Sequence, residues 1–81
     1  MITITTNNGN KGRGETVAAA CRALLGGPLS PQRMAVRRGP GWFVPVEEAS
    51  VDDVRRSGAL WVNKDRSWKI AHLVNEVTEA P

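Results

Sequence analysis

Residues 9 to 16 read GNKGRGET, and their spacing is close to that of a phosphate-cradling loop, G-x-x-x-x-G-K-[ST]. Gly9, Gly14 and Thr16 hold three of the fixed positions, with the β-branched MITITT before them and the alanine-rich TVAAACRALL after. The lysine position is held by Glu15. Such a loop works because backbone N–H groups at a helix N-terminus surround phosphates while lysine neutralises the terminal oxygens. A carboxylate in that place repels them by several kcal/mol in a partly dry site. The residues therefore predict no nucleotide partner. They leave a weaker anion site, in which Lys11 and Arg13 stand among three glycines ahead of a helix.

The same stretch is similar to the loop of the partition-type ATPases, K-G-G-x-G-K-T, over residues 1–25. That resemblance implies a nucleotide-driven enzyme on a long parallel sheet. KGRGET is one residue short of the pattern, which puts Lys11 out of register, and 81 residues leave no room for such a sheet. VDDV at 51–54 follows a helix cap rather than an apolar strand, so it supplies no second nucleotide motif.

Other chemistry-bearing residues are few. His72 is the only histidine and Cys21 the only cysteine, with no elbow motif or metal-ligand spacing around either. The pairs Glu47–Glu48 and Asp52–Asp53 flank the start of a helix, where carboxylates favour the helix dipole. The expectation is a protein that is not an enzyme and has no cofactor, metal or catalytic residue.

The basic segment RMAVRRGPGW is the best candidate surface. It carries Arg33, Arg37, Arg38 and Trp42 around a glycine-proline turn. Alternation along a strand sends Arg37 and Arg38 to opposite faces. Cations beside an aromatic ring suit phosphates and stacked bases. With Lys11 and Arg13, these residues form the expected contact set. Trp61 and Trp68 also have basic neighbours in sequence, but with one phenylalanine and no tyrosine in the chain, tryptophan is expected to build core.

These residues need elements to hold them. MITITT predicts a strand, NNGNKGRG a loop, and ETVAAACRALLGG a helix with Glu15 in its first turn and a stop at Gly26–Gly27. PLSP is a linker. RMAV and WFV are the arms of a hairpin that Pro45 ends or holds at a sheet edge. Ser50 caps a second helix with Asp53 three residues on, and Gly58 closes it. ALWV begins a second hairpin whose last arm, residues 68–77, fits strand alternation better than helix spacing. The predicted order is β-α-β-β-α-β-β: a small α+β domain over residues 1–77, two helices on one face of a mostly antiparallel sheet, and a frayed tail at 78–81.

Charge narrows the function. Up to Val46 there are six basic residues against Glu15 alone, and from Glu47 onward five against seven acids. A basic half favours a polyanionic partner. No apolar run approaches a membrane span, no leader pattern opens the chain, and the lone cysteine fits a reducing compartment. The expectation is a cytoplasmic, non-enzymatic protein that binds the phosphate backbone of DNA or RNA through its basic hairpin, as an accessory or regulatory protein of a phage or mobile element. The alternative is a small inhibitor or adaptor that binds a host protein.

Overall fold

The computed structural model describes residues 1–24 and 33–81. The expected stop at Gly26–Gly27 and the PLSP linker lie outside the described residues. Strands β1 (Ile2–Thr6) and β2 (Lys11–Gly14) lead into helix α1 (Val17–Leu24). Strands β3 (Met34–Gly39) and β4 (Trp42–Pro45) lead into helix α2 (Val51–Ser57), and β5 (Ala59–Lys64) and β6 (Ser67–Glu79) complete the chain. All strand pairs are antiparallel, in the order β2-β1-β6-β5-β3-β4. Both helices contribute to one core on one face of the sheet, so the α+β architecture is the one the sequence predicts.

One further strand stands where a loop is expected. Lys11–Gly14 pairs with β1, Thr5 opposite Lys11 and Thr3 opposite Arg13. The turn before it closes through Thr6, whose N–H donates to Asn10 O at 2.8 Å, with Gly9 at φ +88°. Glycine usually weakens a strand because it has nothing to pack. Here Gly12 and Gly14 alternate with Lys11 and Arg13, and their bare backbone lets α1 lie directly against the sheet. A β-carbon on Gly12 would collide with the Ala20 carbonyl oxygen and stand 2.8 Å from Leu24 Cγ; one on Gly14 would stand 2.5 Å from Ala19 Cβ. A strand has thus replaced the phosphate loop.

Helix α1 starts later than expected. Thr16 Oγ1 accepts the Ala19 N–H at 3.1 Å, so Thr16 caps the helix and Glu15 lies outside its first turn. Its buried side is Val17, Ala18, Ala20 and Cys21. Burial pushes the Cys21 thiol up to about 12 from its ordinary 9.0. The thiol is therefore expected to resist alkylation by iodoacetamide at mildly alkaline pH and to react only on unfolding. Rapid labelling of the native protein, followed by mass spectrometry, would show α1 packed less tightly than this.

Helix α2 has both caps the sequence marks. Ser50 Oγ accepts from the Asp53 N–H at 3.1 Å, the Asp53 carboxylate accepts from the Ser50 N–H at 2.9 Å, and Gly58 ends the helix at φ +68°. Val54 is its one buried residue. The core also takes Ile4, Val36, Val46 and Leu60 from the strands and loops. Complete burial of each such side chain contributes roughly 1.5–3 kcal/mol.

The last arm is a strand throughout. Its first half pairs with β5 and its second with β1, with an irregularity in each register. β6 runs through Thr78 and Glu79, past the boundary expected at 77, because these residues pair with Thr3 and Ile2. Ala80 then exchanges hydrogen bonds with Met1, so the expected tail is tied down at least this far. Among the described residues, no helix is long and apolar enough to cross a membrane.

Candidate binding surface

The face of the sheet away from the helices carries three of the four aromatic side chains. Val62, Val44 and Val36 point into the core, so the alternate residues Trp61, Phe43 and Arg37 share the other face. Trp68, opposite Asn63, joins them. Phe43 meets Trp61 edge-on at 5.2 Å and stacks nearly parallel on Trp68 at 4.9 Å. All three rings are half-buried. Ile70 and Leu73 extend the apolar strip along β6 and are 50% and 51% exposed. The tryptophans expected as core thus build a surface.

The six predicted contact residues fall into two groups. Lys11 and Arg13 lie on β2, and Arg33, Arg37, Arg38 and Trp42 lie on or next to β3 and β4, at the other edge of the sheet. The two groups do not form one continuous basic patch. Arg37 and Arg38 take opposite faces, as alternation requires. The Arg37 guanidinium lies 5.9 Å from the Trp61 ring centre and donates to Gly39 O at 3.1 Å, leaving most of its donors open. Arg38 turns to the helix side and holds Asp53 through two bonds, at 3.0 and 2.8 Å. Its charge is neutralised in place, which corrects its standing as a free phosphate contact. Trp42 is 58% exposed, with Arg38 5.7 Å from its ring centre.

Arg38 and the capping box hold the Asp53 carboxyl well below the usual carboxylate range: the Arg38 hydrogen bonds first, then the Ser50 N–H. A depressed carboxyl stabilises the fold above its unfolded value, about 3.9, and that contribution is lost as pH falls below it. Melting temperatures followed from about pH 6 down to about pH 2 should therefore drop more steeply for the parent than for Asp53→Asn. Parallel curves would contradict the role given to this carboxylate.

Two more arginines are paired, Arg22 with Glu47 and Arg55 with Asp52. Arg55 also donates to Val77 O at 2.9 Å, so it braces α2 against β6. Among the described residues, Arg33, Arg37 and Arg56 have no carboxylate in ion-pair range. Phe43, Trp61 and Trp68 were not in the expected contact set. The signal for the rings was their alternation with buried Val44, Leu60 and Val62, which the assignment of tryptophan to core obscured.

Fold and surface define a small α+β domain with a half-open antiparallel sheet, rings on its uncovered face and unpaired arginines beside them. Compared with known proteins, the chain matches no family model, no curated protein and no solved structure.

Proposed function

We propose that the protein is a non-enzymatic nucleic-acid-binding domain that takes unpaired bases and their phosphates on the uncovered sheet face. The observation that carries this is the row Trp61–Phe43–Trp68 with Arg37 lying over its first ring. Rings on a sheet offer stacking surfaces to any base, and a guanidinium at their border meets the phosphate that follows. Arg33 stands at the other end of the row, in a cleft that it lines with Phe43, Trp68 and the carboxylates Glu47 and Glu48. Lys11 and Arg13 supply a second, distant contact for a longer strand. The test is fluorescence anisotropy with single- and double-stranded oligonucleotides across a salt series. Salt-dependent binding that favours the single strand is expected, and no binding of either at low salt removes the reading.

A second reading has one observation in its favour. Ile70 and Leu73 are half-exposed aliphatic residues beside the rings, and apolar strips of this kind suit a protein partner. As an inhibitor or adaptor, the domain would cover this strip with a host protein. Capture that survives nuclease and fails in Ile70→Asp would favour it.

A further inference from the structure

Three arginines converge where the β3–β4 turn meets the last turn of α2. Arg37, Arg38 and Arg56 together line two clefts of about 320 and 280 Å³. Trp42 and Asp53 complete the first; Gly39, Pro40, Ser57 and Trp61 complete the second. Sequence order does not suggest this meeting, because Arg56 is 18 positions from Arg38 and belongs to another element. Two contacts fix it. The Arg37 N–H donates to Ser57 Oγ at 3.1 Å, and Arg38 holds Asp53 across the same gap.

The charge does not cancel. Among the described residues, Asp53 is the only carboxylate lining either cleft, and its oxygens already accept from Arg38 and from the Ser50 N–H. Three guanidiniums against one occupied carboxylate leave a surplus of two positive charges. The open groups of the lining are donors: the Arg56 guanidinium, most of the Arg37 guanidinium hydrogens and the buried indole N–H of Trp61 have no acceptor among the described residues. Ser57 is already satisfied, accepting from the Arg37 N–H and giving its hydroxyl hydrogen to Ala59 O. A ligand group that is anionic and only accepts hydrogen bonds is the complement of this lining.

We propose that this notch is a phosphate site that anchors one backbone phosphate of a nucleic-acid strand, with Arg56 and Arg37 as its direct contacts. Arg38 acts as a positioning residue, held by Asp53. Trp42 at the rim offers its exposed face to the neighbouring base. The proposal rests on the nucleic-acid reading above and adds to it a fixed point at the Arg37 end of the ring row.

The test compares the parent with Arg56→Gln and with Lys69→Gln, which removes an equal charge outside the notch. Binding of a single strand of about 12 nucleotides, within the range such modules cover, is measured across a salt series. Loss of one phosphate contact should lower the log–log salt slope by about 0.7 in Arg56→Gln, while Lys69→Gln leaves it unchanged. A parent-like slope in Arg56→Gln, in a parent that binds, overturns the notch and leaves the ring row standing. If the parent binds no strand, the nucleic-acid reading falls and the notch is decided by inorganic phosphate. Saturable shifts of the arginine Nε–H resonances, absent in Arg56→Gln, would then retain it as a phosphate site. No shift overturns it.

Discussion

Gly12→Ala is expected to remove a large share of the stability of this domain. The added methyl has no space between β2 and α1, since it meets the Ala20 carbonyl oxygen and the Leu24 side chain. Leu24 can rotate away, but the carbonyl is part of the helix, so α1 has to lift from the sheet. Overpacking a tight site costs about 1–3 kcal/mol and more where backbone must move. A domain of this length holds roughly 4–12 kcal/mol in total. A loss of about 3 kcal/mol, read as a fall of roughly 2 M in the urea midpoint, is the expected result. Gly14→Ala should act in the same direction against Ala19. Gly9→Ala is the control: its φ of +88° is strained for alanine, but nothing crowds it, so about 1 kcal/mol is expected. A Gly12→Ala midpoint within error of the parent would mean that α1 does not rest on β2.

The largest effect on binding is expected from Arg33→Gln combined with Arg37→Gln. These two arginines flank the ring row and have no carboxylate partner among the described residues. Two lost phosphate contacts should lower the single-strand salt slope by about 1.4 and weaken binding at low salt about tenfold or more. Phe43→Ala separates stacking from charge. It removes the ring that touches both Trp61 and Trp68, so affinity should fall by about 1–3 kcal/mol for each base unstacked, with the slope unchanged. Arg38→Gln is the contrasting variant. Its charge is already matched by Asp53, so it should lower the melting temperature while moving the slope little. A slope that falls as far in Arg38→Gln as in the double variant would reverse the assignment of these neighbours. Circular dichroism on each variant checks the fold.

The elements with local signals were legible in the sequence. Ser50, Asp53 and Gly58 bound α2 by hydrogen bonds within a few residues of each other, and Gly39–Gly41 turns the hairpin between β3 and β4. β2 was not legible, because its glycines make sense only once α1 lies on them, and no window of the sequence contains that contact. The candidate site shows the same division. The opposite facing of Arg37 and Arg38 follows from strand period alone. Which one stays free depends on Asp53, fifteen positions away on a different element. The rings were misjudged for a related reason: a tryptophan's neighbours in sequence do not say whether its face of the sheet is covered.

The place of β6 in the sheet bears on how the chain folds. Strand β6 lies between β1 and β5 and joins the first hairpin to the rest. Until it arrives, β2-β1 with α1 and β4-β3-β5 with α2 are two fragments with no strand in common. Closing the β1–β6 pair spans nearly the whole sequence, so the contact order is high and folding should be slow for so short a chain. During synthesis the sheet cannot close until the ribosome has released residues up to Glu79. The β1 and β5 edges, which β6 pairs with in the finished sheet, are left open for that interval. Aggregation in the cell should therefore track delays in translating β6 more closely than the equilibrium stability of the folded domain.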